Sequence, residues 1–175
     1  MTYTLSTRQA AAASPKKESL GTVLNNLQLR MHAGIAVLGA AIADQQLEDA
    51  ILTKMHKLSR KLHDELFTGY GPLSSLSSKI ALAYALDLID RTTYKRLTVA
   101  RRIRNKFAHA DEFLDLSSPP ISQLLKKFPS DSERKLTNEY LYLWHLQQVE
   151  AHLVITAGPR IKKSTAAGSP AAARG

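Results

Sequence analysis

The stretch LGTVLNNLQLRMHAGIAVLGAA, residues 20–41, decides the fold class of this 175-residue chain. Apolar or small residues recur in it at steps of three and four, at Leu20, Leu24, Leu27, Met31, Gly34, Leu38 and Ala41. Such steps place side chains on one face of an α-helix, so the stretch predicts a long first helix that buries this stripe. Gly34 and Gly39 each cost about 1 kcal/mol relative to alanine in a helix, and we expect another helix to pack closely there.

Two further stripes follow the first helix. The first of them predicts a second helix and consists of Leu47, Ile51, Met55, Leu58, Leu62 and Leu66. The other predicts a third helix and consists of Leu73, Leu76, Ile80, Ala83 and Leu86 or Asp87. The stripe of the second helix stops at the turn signal Gly69–Pro72. Pro72 suits the first turn of the third helix, because a backbone N–H at that position has no partner within the helix and proline lacks one. That third helix is expected to end near Asp90.

The remainder of the chain is also helical in pattern. Thr92 or Thr93 is expected to cap a fourth helix, with the buried stripe Tyr94, Leu97, Ala100, Ile103 and Phe107. A short helix is expected over Ile121–Lys127. Ser130 and Glu133 form a capping box for a last helix, with the stripe Leu136, Tyr140, Leu143, Leu146, Val149 and Leu153. No alternating β-branched run flanked by hairpin turns is present, so we predict one all-α helical bundle of about five main helices.

The net charge of +9 suggests a nucleic-acid partner, but six of the nine charges lie in segments 1–19 and 156–175. Both segments are rich in Ala, Ser and Pro and poor in large apolar residues, so they cannot bury enough surface to order themselves. We therefore expect disordered tails over residues 1–18 and 158–175, flanking one helical domain over 19–157. The basic tails either solubilise the protein or act as arms that touch nucleic acid.

Composition excludes several classes of site. The chain has no cysteine, which rules out disulfides, thiolate nucleophiles and iron–sulfur clusters. Its apolar runs are shorter than the roughly 18 residues of a membrane span, and none resembles a signal peptide, so a cytoplasmic protein is expected. No glycine-rich phosphate loop or HExxH motif occurs, and the carboxylates are scattered. We expect neither a metal nor a cofactor.

The predicted fourth helix carries an unusual concentration of positive charge. Between Arg91 and Lys106 the chain contains seven cations and no acid. Such a run is commonly a solvated helix face, but like charges on one helix repel each other unless an acid relieves them. An anionic partner, either phosphate or an acidic protein surface, would relieve them as well. The candidate anion-binding residues are Arg96, Arg101, Arg102 and Lys106.

The end of this helix, RNKFAH at residues 104–109, contains groups suited to cleaving a phosphodiester. Arg104 is a fixed-charge phosphate clamp, His109 can exchange protons near neutral pH, and Asn105 can orient it. On an ideal helix Arg104 points about 140° away from His109, so the two converge only if the helix frays or a second copy completes the site. A basic helix C-terminus explains the same residues without catalysis.

Two motifs then point to known families. The segment LFTGYGPLSSLS (66–77), continued by KIALAYAL (79–86), LIDR (88–91) and Tyr94, resembles the mannitol operon repressor family over residues 66–109. That resemblance implies a transcriptional regulator. We find no helix-turn-helix pair with a polar recognition helix, so repression through a protein partner is the reading compatible with these residues.

The second resemblance is Arg104-Asn105-x-x-x-His109, which is similar to the Arg-polar-x-x-x-His signature of HEPN helical domains. In HEPN ribonucleases this helix faces its copy across a dimer and cuts RNA without metal. The resemblance implies that Arg104 grips the scissile phosphate and His109 assists proton transfer.

Three hypotheses follow from the sequence. The first is a non-catalytic homodimeric regulator of the mannitol repressor type, which acts on a protein or nucleic acid through the fourth helix. The second is a metal-independent ribonuclease that uses Arg104, Asn105 and His109. The third is sequence-specific DNA binding by the protein alone.

Overall fold

A computed structural model describes residues 20–110, 114–129 and 136–157. Within these ranges the chain forms six helices and no strand, which confirms the predicted all-α bundle; the number matches the five main helices and the short helix expected near Ile121. In chain order they are α1 (Leu20–Leu52), α2 (Arg60–Phe67), α3 (Leu76–Ala85), α4 (Arg91–Ala108), α5 (Pro119–Leu125) and α6 (Asn138–Ala157). The predicted disordered tails and the Ser130–Glu133 capping box lie outside the described residues.

The first helix exists, but the prediction of its buried face is wrong. All seven residues of the predicted stripe are exposed, with Leu20 at 73% and Met31 at 65% of full exposure. The buried face of α1 is instead a row of small residues that continues into larger ones, at Ala36, Ala40, Ala43, Leu47, Ala50 and Ile51. Small side chains allow neighbouring helices to approach closely, so in α1 the alanines face the core and most leucines do not.

The predicted second helix is also placed wrongly. Leu47 and Ile51 belong to α1, which runs unbroken for 33 residues because no breaker separates them from the alanine row. The chain leaves the helix at Thr53–Leu58, and Ser59 then caps the short α2 by accepting a hydrogen bond from the Leu62 amide. Only the last part of the predicted stripe, through Leu66, therefore lies on a separate helix.

Side-chain caps fix where α3 and α4 begin. The Ser75 hydroxyl accepts from the Ser78 amide, so α3 starts at Leu76 rather than at Pro72. Asp90 caps α4 by accepting from the Thr93 amide at 2.7 Å, in place of the predicted threonine cap. An aspartate at this position is among the strongest N-caps, and its charge also favours the positive end of the helix dipole.

The core is built around the mutual packing of α1, α4 and α6, with α3 against α1 and α4 and α5 against α4 and α6. The fourth helix contributes Leu97, Ala100 and Ile103 to it, as its sequence predicts. Gly39 lies against Leu146 of α6, where an added Cβ would clash, so the predicted close approach is confirmed at this glycine. Gly34 has open space around it. None of the helices in the described ranges is long and apolar enough to cross a membrane.

The buried face of α6 is likewise rotated from the predicted stripe. Val149 and Leu153 are buried as predicted, but Tyr140 and Leu143 are exposed. Tyr142 and His145 take their place in the core. Both carry polar atoms that meet partners: the Tyr142 hydroxyl donates to the Ala36 carbonyl, and His145 contacts α4.

The cap of α4 gives a stability prediction with a defined pH dependence. The hydrogen bond from the Thr93 amide lowers the pKa of the Asp90 carboxyl below its usual 3.8. Asp90→Ala should therefore lower the free energy of unfolding by about 1 kcal/mol at pH 7. Because a carboxyl with a depressed pKa contributes its stability above its unfolded-state pKa, the difference from wild type should shrink as the pH falls through and below 3.8.

Urea unfolding monitored by circular dichroism at pH 7 and near pH 3 measures both effects. Asp90→Asn is the matched control, since asparagine caps helices as well as aspartate but does not titrate. An equal loss for the Asn and Ala variants at pH 7 would contradict the assignment of Asp90 as the cap.

Candidate nucleic-acid interface

The outer side of α4 presents positive charge to solvent. Because Leu97, Ala100 and Ile103 turn one side of the helix to the core, the polar positions face outward. Arg102, Arg104 and Lys106 are exposed, as are Arg91 and Lys95, and Arg101 and Asn105 are half-buried. No carboxylate of the described residues forms an ion pair with these cations. Within the described ranges, the positive charge of this face is therefore not neutralised by a direct ion pair.

Arg96 is placed differently from the other candidate anion-binding residues. It is only 9% exposed, its Nε donates to Nδ1 of His145 at 3.3 Å, and its guanidinium lies 5.5 Å from the centre of the Trp144 ring. Arginine stacks on aromatic rings and is weakly hydrated, so it suits this buried position between α4 and α6, next to Trp144 and His145. The structure assigns Arg96 to packing between these helices, away from the exposed cations.

A groove of about 390 Å³ lies on one side of the exposed α4 face. Arg101, Arg104 and Asn105 form its α4 wall, and the opposite wall is the turn and first residues of α3, including Ser74, Ser75 and Ser77. Asp44 of α1 closes the groove. Two arginines facing serine hydroxyls provide donors for the oxygens of a phosphate group, while the Asp44 carboxylate lowers the net positive charge.

A second depression of about 400 Å³ lies on the other side of Asn105. It is lined by Arg102, Asn105, Lys106, His109 and Leu124. His109 is exposed at the C-cap of α4, where its amide donates to the Asn105 carbonyl at 3.1 Å. This depression combines fixed positive charge with a group able to exchange protons near neutral pH.

The three candidate catalytic residues are thus close in the chain but divided between the two depressions. Arg104 donates from Nη1 to Oδ1 of Asn105 at 3.1 Å, and Asn105 borders both depressions. Arg104 and His109 line opposite sides, as their separation of five residues on a helix predicts. Both are exposed, and within the described ranges neither forms an ion pair with a carboxylate.

A buried polar network that the sequence did not predict lies beneath the groove. Lys79 is 3% exposed, and its Nζ bonds to Asp44 at 3.0 Å and to Glu48 at 2.7 Å. Glu48 also contacts His63 at 3.1 Å. Burial alone lowers the pKa of Lys79, but the hydrogen bonds and charges of the two carboxylates outweigh it and raise the pKa above 10.5. The network ties α3 to α1 and so fixes the serine wall of the groove.

Two features of the sequence point to this network in retrospect. Asp44 and Glu48 are four residues apart on α1 and therefore share a face. Lys79 is the single charged residue within the α3 sequence LSSKIALAYA.

One Asp44 oxygen, Oδ1, remains buried without a hydrogen-bond partner in the described structure. No group of three His, Asp or Glu side chains in the described ranges could hold a metal ion.

The contrast between Arg96 and the exposed cations can be measured directly. Arg96→Ala should lower the free energy of unfolding by about 2 kcal/mol, because it removes buried packing and the hydrogen bond to the His145 ring nitrogen. Arg102→Ala, at an exposed position, should stay within about 0.5 kcal/mol of wild type. The emission of Trp144, the only tryptophan, should shift for the Arg96 variant alone. Equal losses of stability in the Arg96→Ala and Arg102→Ala variants would contradict the assignment of Arg96 to helix packing.

Comparison with known proteins does not identify a relative of this chain. No family model matches the chain, and neither a curated protein nor a solved structure does. The resemblances to the mannitol operon repressor and HEPN families therefore rest on the motifs quoted above.

Proposed function

We propose that the protein is a non-catalytic regulator of the mannitol operon repressor type that contacts a polyanionic partner through the exposed face of α4. The observation that carries this proposal is a set of cations, the exposed Arg102, Arg104 and Lys106 and the half-buried Arg101, that line two adjacent depressions without an ion-pair partner among the described residues. Desolvating such a face against an apolar surface would be costly, whereas phosphates or carboxylates compensate its charge.

The arrangement favours contact with a phosphate backbone over reading of bases. The side of α4 opposite the cations is buried against α1 and α6, and its exposed side carries mainly arginine and lysine, which suit contact with phosphates along a nucleic-acid strand. Contacts of this kind position a protein on nucleic acid without carrying sequence information. Sequence-specific DNA binding by this face alone is therefore not proposed, and a regulator acting in the cytoplasm would obtain its specificity from a protein partner.

The binding proposal is tested by removing equal charge from two places. Arg102→Gln with Lys106→Gln should weaken binding of a short single-stranded oligonucleotide about tenfold at low salt. The slope of log K against log salt should become shallower by the amount that corresponds to about one or two lost phosphate contacts. Arg60→Gln with Lys61→Gln, two exposed cations on α2, is the matched control and should leave the slope nearly unchanged.

Fluorescence anisotropy over a salt series measures both quantities. If the α2 control weakens binding as much as the α4 pair, net charge alone accounts for the affinity and the proposed face is wrong. If wild type binds an acidic peptide but no oligonucleotide, the partner is a protein surface and the nucleic-acid assignment fails.

A second candidate function, metal-independent RNA cleavage, is favoured by one observation. Arg104 and His109 are both solvent-exposed, and both adjoin Asn105, so the groups that the chemistry requires are accessible. One chain divides them between two depressions. Cleavage would require a homodimer in which α4 of a second copy brings its own residues across the gap.

The two candidates differ in turnover. Wild-type protein should bind RNA without cleaving it in the presence of EDTA, and His109→Ala should behave identically under the regulator proposal. Gel analysis of labelled RNA at a tenfold molar excess over protein measures turnover. Multiple turnovers by wild type that are lost in both His109→Ala and Arg104→Ala would overturn the regulator and establish the ribonuclease.

A further inference from the structure

The first half of α1 carries an exposed apolar face that the bundle does not use. Its large members are exposed between 37% and 73%: Leu20, Val23, Leu24, Leu27, Met31, Val37, Leu38 and Ile42. A contiguous apolar surface of this kind exceeds what soluble monomers ordinarily leave in water, so its position on a single helix calls for a partner.

The spacing within this face is that of a helix-pairing seam. Leu20, Leu24, Leu27, Met31, Gly34, Leu38 and Ala41 are separated by alternating steps of four and three, a period of 3.5 residues held over three heptads. We call these seven residues the α1 seam. Ala36, Ala40 and Ala43, which face the core, lie on the other side of the helix. A strict 3.5-residue repeat fits a second helix with the same repeat, because each seam residue then meets a hole between four others.

We propose that the α1 seam binds the α1 seam of a second copy of this chain, forming a symmetric dimer. A two-fold interface uses the same patch on both partners, and a heptad seam is self-complementary in this way. The five large seam residues, together with Val23, Val37 and Ile42 beside them, are each roughly half exposed and offer on the order of 800 Å² of apolar surface. This is the area per partner in an interface of standard size.

Charge also favours a second copy as the occupant. Between residues 20 and 43 the chain carries a single Lys, Arg, Asp or Glu, namely Arg30. The excess cations lie on α4 and in the terminal segments, so pairing through α1 does not bring them into direct contact. A basic or acidic partner would find no complementary charge on this surface.

The two terminal segments of the chain are poor alternative occupants. Segment 1–19 precedes the seam directly, but its large apolar residues are Met1, Tyr3 and Leu5, followed by four alanines and a charged stretch. Segment 158–175 contains Ile161 as its one large apolar residue. Neither segment has the repeat needed to cover seven seam positions at steps of three and four.

Two small residues define how closely the helices approach. A Cβ added to Gly34 meets nothing within 4 Å in the single chain, so the gap there is available to a partner. Ala41 belongs to the seam and also lines the groove that holds Arg101 and Arg104. A copy seated on the seam would therefore reach the edge of this groove. The dimer proposal does not depend on the proposed function, because it uses no residue of α4.

Sedimentation velocity over a concentration series tests the proposal on the full chain. Wild type should be dimeric at micromolar concentrations. Leu27→Glu with Met31→Glu places two unpaired carboxylates in the seam and should raise the dissociation constant at least about 100-fold. Leu62→Glu with Leu86→Glu is the matched control, since both leucines are exposed but lie on α2 and at the end of α3. It should remain dimeric.

Leu27→Ala with Met31→Ala guards against a folding defect in the glutamate variant. Alanine preserves helix formation, so this variant should keep the helical circular dichroism of wild type and still weaken dimerisation about tenfold or more. A monomeric wild type at 100 µM would overturn the proposal, as would seam variants that dimerise like wild type. An equal loss of dimerisation in the control variant, Leu62→Glu with Leu86→Glu, would also overturn it. Loss of oligonucleotide binding with an intact dimer would instead count against the α4 proposal alone.

Discussion

The rest of the structure depends on the packing of the alanine row of α1 against α4 and α6. Ala36, Ala40 and Ala43 are nearly without exposed surface, and the side chain of Leu146 packs over Gly39, so small residues on α1 leave room for the side chains of its neighbours. This close contact decides which side of α4 is buried and which carries its cations to the surface. It also leaves the leucine side of α1 outside the bundle, because a helix buries one face against its neighbours.

The sequence was sufficient for the helical class and for α4, and insufficient for the orientation of α1 and α6. The stripe Leu97, Ala100 and Ile103 was identified correctly because α4 has one apolar side and a strongly charged opposite side. In α1 both sides are apolar or small, so hydrophobicity favours the leucines while helix–helix distance selects the alanines. Periodicity cannot choose between two such faces, and only the tertiary contacts do so.

The candidate site shows the same limit at the level of single residues. The exposed positions of Arg102, Arg104 and Lys106 follow from helical spacing, and so does the separation of Arg104 from His109. The burial of Arg96 does not, because it depends on Trp144 and His145, 48 and 49 residues further along the chain. The Lys79 network likewise joins α1 to α3 through contacts 31 and 35 residues apart. Long-range pairs of this kind leave only a weak trace in a local pattern.

A positive face on α4, together with basic terminal segments, offers two ways for this chain to hold a polyanion. Backbone amide shifts during titration with a short single-stranded RNA distinguish them most directly. The largest perturbations should fall on residues 101–109, which include the α4 lining of both depressions, and on Ser74–Ser77, which lie opposite Arg101 and Arg104 in the groove. Perturbations confined to residues 1–19 and 158–175 would contradict the assignment of α4 as the binding face.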